Sequence, residues 1–399
     1  MIPLEEAIRI VLERSRRRLP GALTLPVEES PGRVLAEDVV APFDVPAFAR
    51  SMMDGFALRH SEAAGGRLGV AATISAGELF GRPLGPGSCV RIMTGASLPE
   101  RADTVVPIED AEDLGGEMRV LRLPEPGRHV SPRGEDVRAG AIVLRSGQPL
   151  GPQEIGILAA LGRREVRVFA APVAAYAVTG DELVVPGGRL SGASIHNSNG
   201  YVLRSQVVAA GGIARDLGIV PDREEALTRA IRDGLSSDLL ILTGGVSRGL
   251  KDFVPSLLRR EGVEVLFHGV QVHPGQPTLF GVAGDSLVFG LAGNPWAALL
   301  GFELYAAPAI RALQRKPDAE AVSYRGLLAG PIAKKPGVAR LTPCVREWRD
   351  DCFYLTPVVM HGAADLFSGP GADSVVIVPA ESGPLRAGDG VTFRFLRRP

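Results

Sequence analysis

Lysine is nearly missing from these 399 residues: Lys251, Lys316, Lys334 and Lys335 are the only four, so most basic charge is arginine. Net charge is also nearly missing, at −1 and a pI of about 6.6. Such balance argues against a chain held on DNA or RNA by bulk charge, because phosphate binding leans on a basic surface. Cysteine is scarce. Cys89, Cys344 and Cys352 are odd in number and lack metal-ligand spacing, which argues against a disulfide framework and a structural zinc site. Aromatic residues are 5% of the chain, so its cores must be mostly aliphatic. No run of 18 apolar residues occurs, so no membrane span is expected. The opening Met1-Ile2-Pro3-Leu4-Glu5-Glu6 is acidic where a signal peptide is basic, and a cytoplasmic protein is expected.

Glycine and proline are plentiful, at 49 and 32 residues, which points to a folded chain rich in turns. At about 150 residues per domain the length suggests two to four domains. Leu4, Ala7, Ile8, Val11 and Leu12 recur at helical spacing, which predicts an amphipathic helix over 4–18. From about 23 to 160, short apolar runs at 33–40, 89–93, 104–108 and 141–144 are separated by Gly/Pro turns and read as β-rich. A short helix is expected over 153–161, closed by Gly162. Beyond 165, strands are expected over 173–178, 214–220, 238–242, 263–270 and 286–291. Helices are expected over 200–210, 223–235, up to 260, and 296–313. This alternation predicts a doubly wound α/β domain with a largely parallel sheet. After Lys316-Pro317-Asp318 the chain returns to short β segments.

Ligands of a doubly wound sheet gather at the carboxyl ends of its strands. Three loops fall there: Thr179-Gly180-Asp181-Glu182-Leu183, Thr243-Gly244-Gly245-Val246-Ser247-Arg248-Gly249-Leu250-Lys251-Asp252, and Ala292-Gly293-Asn294-Pro295. Glycines let backbone N–H groups approach an anion, and a helix N-terminus adds positive dipole. One such loop is also an ordinary tight connection; three on one sheet edge point to a phosphate or oxyanion site. No Gly-x-Gly-x-x-Gly follows the first strand and no P-loop occurs, which disfavours nicotinamide and kinase-type sites. Carboxylates gather nearby in sequence: Asp181, Glu182, Asp222 and Asp252, with Asp54 and Asp136 in the β-rich part. Oxygen ligands beside phosphate loops suit Mg²⁺. Asp222 also reads as a helix cap, with Glu225 three residues on. His268 reads as structural, His129 and His196 as loop residues, and no Ser/His/Asp arrangement stands out.

With these loops in view, a set of stretches in fixed order resembles the molybdopterin molybdenumtransferase family, the MoeA and gephyrin E-domain proteins. They are Pro42-Phe43-Asp44 with Ser51-Met52-Met53-Asp54-Gly55-Phe56-Ala57, Arg91-Ile92-Met93-Thr94-Gly95-Ala96, Arg133-Gly134-Glu135-Asp136-Val137, the loop at 179–183, Gly244-Gly245-Val246-Ser247 with Asp252, Pro274-Gly275-x-Pro277, and Gly293-Asn294-Pro295. The resemblance implies a multi-domain α/β subunit in a homodimer. It implies a MogA-like doubly wound domain (1–22 plus 163–318), a small linking β domain (23–40 plus 141–162), a β-rich inserted domain (41–140) and a C-terminal β domain (319–399). It further implies Mg²⁺-dependent insertion of molybdate into adenylylated molybdopterin with release of AMP. The cleft would lie between the α/β domain of one subunit and the β-rich domain of the other. On that basis Asp54, Asp136, Glu182, Asp222 and Asp252 are the catalytic candidates, with Glu182, Asp222 and Asp252 on the metal. Thr94, Gly95, Thr179, Gly180, Asp181, Gly244, Gly245, Ser247, His273, Pro274, Gly275, Gln276, Pro277, Asn294, Pro295 and Arg340 would bind substrate.

The departures are local. The family usually has Lys-Pro-Gly-Lys-Pro where this chain has His273-Pro274-Gly275-Gln276-Pro277. Its Gln-x-Ser is replaced within His361-Gly362-Ala363-Ala364-Asp365, which removes a serine and adds a carboxylate, and Trp296 stands where a small or aliphatic residue is usual. Each lost charge-assisted hydrogen bond costs roughly 1.5–3 kcal/mol. A protonated His273 would restore part of the charge. Two readings follow: a molybdenum (or tungsten) transferase with a retuned oxyanion pocket, or a non-catalytic paralogue that binds pterin or serves as a scaffold. The retained carboxylates favour the first and the missing lysines the second.

Overall fold

The computed structural model describes residues 1–18, 20–246, 253–334 and 336–396. Its largest core belongs to a six-stranded sheet in the order Ile213–Val220, Val173–Thr179, Leu239–Thr243, Ser286–Leu291, Leu279–Ala283, Glu264–His268. The first three pairings are parallel and the last two antiparallel. Three of the parallel strands, Val173–Thr179, Leu239–Thr243 and Ser286–Leu291, are buried on both faces and so read as apolar runs such as Leu239-Leu240-Ile241-Leu242, whereas the edge strand Ile213–Val220 is mostly exposed or half-buried. The strand Leu279–Ala283 is the element the expected pattern lacked. It forms a hairpin with Ser286–Leu291 across the two-residue turn Gly284-Asp285, where Gly284 takes φ +55°.

The N-terminal helix Leu4–Arg17 buries Leu4, Ala7 and Val11 in the same core as Tyr176 and Ile310. The helix expected over 296–313 is three pieces: Pro295–Gly301, a π turn Phe302–Ala306, and Ala307–Leu313. Pro308 has no N–H to close the preceding turn, which accounts for the widened segment.

In the β-rich part a six-stranded sheet runs Thr104–Pro107, Gly55–Leu58, Ser88–Ile92, Arg67–Ile74, Glu117–Val120, Ala111–Asp113. The strand Glu165–Phe169 pairs with Ala22–Pro26 and buries Val166 and Val168 with Val27 and Leu35. It therefore lies with the linking β unit, past the boundary expected at 162. In the C-terminal part Ala339–Arg349, Cys352–Pro357, Tyr324–Leu328, Gly390–Phe395 and Ser374–Val378 pair in that order. The last returns to the first, which closes a five-stranded barrel. The short strand Val272–His273 adds to this barrel in parallel, with His273 opposite Arg340. That pairing stitches the α/β domain to the barrel. No helix among the described residues is long and apolar enough to cross a membrane.

Candidate active site

The carboxyl ends of Val173–Thr179, Leu239–Thr243 and Ser286–Leu291 open on one cavity of about 500 Å³. All three strand-end loops contribute: Thr179, Gly180 and Glu182 from the first, Gly244 and Gly245 from the second, Asn294 and Pro295 from the third. Gly244 and Gly245 have φ of +90° and +62°, and a Cβ on Gly244 would sit 2.6 Å from Thr179 Oγ1. The two loops thus meet only because the second lacks side chains. The Gly244 N–H is already committed to Leu291 O at 3.2 Å, so it does not serve as a free donor. The Gly245 N–H has no partner among the described residues.

Asp222 lines the same cavity. It is not the helix cap that its spacing to Glu225 suggested. The helix begins at Glu224 with Arg223 at the N-cap, and Arg223 N–H donates to Pro221 O at 2.7 Å, which places Asp222 in the preceding turn. Its backbone N–H donates to Asp181 Oδ1 at 3.2 Å, which accounts for Asp181. Ser247 and Asp252 lie outside the described residues.

Several cavity residues had no place among the expected substrate ligands. Asn197, Ser198 and Asn199 line it at the start of the helix Asn199–Ala209, whose dipole is positive there. Asn199 Nδ2 donates to Gly293 O at 2.8 Å, while its Oδ1 is buried without a partner among the described residues. Thr179 Oγ1 and Thr243 Oγ1 are buried as well, without a partner among the described residues. All three atoms belong to residues of the cavity lining, where burying an unpaired polar group is costly. His196, read as a loop residue, is also in the lining; His268 Nε2 lies 2.9 Å from Val246 O and braces the Gly-rich loop.

The loop His273–Pro277 bridges two cavities. Pro277 lines the one just described, whereas His273 lines a second of about 500 Å³ with Lys334 and Arg340. Arg340 Nε is buried without a partner among the described residues, and Lys334 Nζ donates to Ala380 O and Ser382 O at 3.0 and 2.7 Å. Between them, Gly275 takes φ +102° and its carbonyl accepts from Thr278 Oγ1 at 2.7 Å. Gln276 points elsewhere, with Nε2 2.8 Å from Met1 Sδ. Pro274 and Gln276 line neither cavity.

The C-terminal substitution is also explained. Ala364 lines the first cavity, but Asp365 is turned into its own loop. It accepts from His361 N, Phe367 N, Ser368 N, His361 Nδ1 and Ser368 Oγ, and these bonds hold its pKa far below the usual range. The added carboxylate is therefore satisfied locally. Trp296 seats that loop: its backbone N–H donates to Ala363 O at 3.0 Å, and its indole packs where a Cβ on Gly369 would be.

The remaining candidates stand apart within one chain. Asp54 Oδ1 accepts from Thr94 N–H and Oγ1 at 2.7 and 2.8 Å, which lowers its pKa, and Gly95 N–H donates to Ser51 O at 2.8 Å. Asp136 pairs with Arg50 at 3.3 Å. None of these residues lines the cavity of its own α/β domain.

Profiles of known families locate the same parts. The MoeA N-terminal region (domain I and II) matches residues 2–162, and a probable molybdopterin binding domain matches 175–312. A molybdopterin molybdenumtransferase of Bacillus subtilis is 33% identical over 99% of this chain and 94% of its own length. The chain belongs to the molybdopterin molybdenumtransferase family. A second relative of that name, from Staphylococcus aureus, is 36% identical over 78% of this chain and 75% of its own. The crystal structure of a molybdopterin biosynthesis MoeA protein from Pyrococcus horikoshii superposes over the whole of both chains with a TM-score of 0.86 at 31% identity. A molybdopterin molybdenumtransferase is an enzyme of molybdenum cofactor biosynthesis, and the α/β domain described above is the part matched to molybdopterin binding.

Glu182 and Asp222 offer hard oxygens in a cavity that also holds hydroxyls without a partner among the described residues, and a divalent ion such as Mg²⁺ completes its shell with water and substrate phosphates. No cluster of three metal-ligating side chains occurs among the described residues.

Proposed function

We propose that the chain inserts molybdate into the dithiolene of adenylylated molybdopterin and releases AMP, with Mg²⁺ held by Glu182, Asp222 and Asp252. The observation that carries this reading is the single cavity at three strand ends, where two carboxylates share walls with Thr179, Thr243 and Asn199, whose buried side-chain oxygens have no partner among the described residues. A bound Mg²⁺ would offset charge on the phosphate as AMP leaves. Thr179 and Thr243 hydroxyls orient the phosphate, the Gly245 N–H donates to its oxygens, and Asn199 accepts from the nucleotide or pterin. Fixed dipoles of this kind stabilise developing charge without reorganising. Molybdate sits in the second cavity on Arg340 and His273, and the backbone of Pro274 and Gly275 carries it toward Pro277 and the pterin. The thiolates that capture the metal belong to the substrate, so no cysteine is needed.

Asp54, Asp136, Thr94 and Gly95 act in this reading on the cavity of a second subunit, in a cytoplasmic homodimer. Arg340, His273 and Lys334 around one cavity support the transferase over a pterin-binding scaffold, since the lysines missing from the loop leave the pocket basic. Incubation with adenylylated molybdopterin, Mg²⁺ and molybdate should release AMP in proportion to product. Pterin binding with no AMP release at millimolar molybdate would overturn the proposal.

A further inference from the structure

A third cavity, of about 370 Å³, lies between the helical segment after Pro295 and the C-terminal barrel, away from the proposed reaction. Its size falls in the roughly 300–1,000 Å³ range of small-molecule sites. Leu300 and Leu304 form one wall, Leu341, Val375 and Leu396 the other. Four charged side chains reach it: Glu303, Arg311, Asp318 and Arg394. Glu303 Oε1 accepts from Gln206 Nε2 at 2.8 Å, and Arg311 and Asp318 have partners within the protein. Arg394 differs. Its Nε donates to Ser323 Oγ at 3.2 Å, but its two Nη groups have no acceptor, and no carboxylate lies in ion-pair distance, among the described residues. Arg394 also borders a neighbouring cavity with Glu5 and Ser323; Glu5 and Glu320 act on it only through space, and burial lowers its pKa.

We propose that this cavity binds an organic monocarboxylate. The carboxylate is held in a fork by the Arg394 Nη groups, and an aliphatic or aromatic body fills the space between Leu300, Leu304, Leu341 and Val375. Guanidinium matches carboxylate geometry with two parallel hydrogen bonds. Removing the body from water adds binding energy in proportion to its area. One unspent cation selects a single negative charge. A second one would face Glu303 or Asp318, and an ammonium would find both of those carboxylates already engaged.

Octanoate is the probe, with octanol, octylamine and acetate as controls, all titrated calorimetrically into the full chain below micelle-forming concentrations. Octanoate should bind at least about tenfold more tightly than each control. Arg394→Gln should weaken octanoate about 10- to 100-fold, the effect of a lost charge-assisted bond, and leave octanol binding and AMP release unchanged. Ala321→Phe, at the half-exposed rim, should block octanoate as well, and serves if the arginine variant does not fold. Octanol binding as tightly as octanoate would overturn the proposal, as would octanoate affinity within twofold of wild type in either folded variant.

Discussion

At the scale of single residues, His273 and Gln276 show how far position can depart from spacing. Both stand where the family has a pocket lysine, three residues apart, yet only His273 lines the basic cavity, while Gln276 turns to Met1. His273→Ala should therefore raise the molybdate requirement about 10-fold or more, the effect of one charge-assisted hydrogen bond. Gln276→Ala should change it less than twofold. AMP release measured against molybdate concentration separates the two, and equal effects would place both side chains on the anion. Asp54 gives a second prediction. Its two hydrogen bonds from Thr94 hold its pKa down, so it is ionised throughout the neutral range. A depressed carboxylate contributes stability that is present above the unfolded pKa of about 3.9 and lost as pH falls through the folded value. Thr94→Val removes the hydroxyl donor and keeps the amide, so the Asp54 pKa should rise part-way back. Carboxyl-carbon NMR titration reads this directly, and an unmoved midpoint would mean that the hydroxyl contributes nothing.

At the scale of elements, the strand-end loops were legible because glycine clusters after apolar runs have one common cause: backbone that must turn tightly and pack closely. The hairpin Leu279–Ala283 carried its own signal, Gly284-Asp285 between two apolar runs, and could have been found. The pairing of Val272–His273 with the barrel could not. Two residues have no periodicity, and their partner Ala339-Arg340 lies far along the chain, so nothing local marks the contact. The same limit hid the role of Trp296, because a helix pattern does not say which loop packs over its first turn. That indole is 4% exposed and is seated against Gly369. Trp296→Ala should cost about 3–5 kcal/mol in denaturant unfolding, as large-to-small changes of buried aromatics do. It should also loosen pterin binding, because Ala364 in the same loop lines the cavity. Stability lost with pterin affinity unchanged would show that the loop does not shape the site.

At the scale of the whole molecule, the candidate residues fall into two sets that one chain does not bring together. Glu182, Asp222, Thr179 and Asn199 share a cavity; Asp54, Asp136 and Thr94 lie on the β-rich part and line none of it. The proposed dimer joins them by placing the second set of each subunit over the cavity of the other. This has a consequence that activity of a single variant cannot reveal. Asp54→Asn and Asp222→Asn should each be inactive alone. In a mixed dimer one site then carries both substitutions, and the other carries neither. Equal amounts reassembled at random give half mixed dimers, each with one intact site of two, so AMP release should recover to about a quarter of the wild-type rate. If both residues served the same subunit's cavity, each site in the mixed dimer would still carry one substitution, and no activity would return. The ratio of mixed species is checked by mass, so a flat result on a verified mixture places Asp54 in its own subunit's chemistry and removes the shared site.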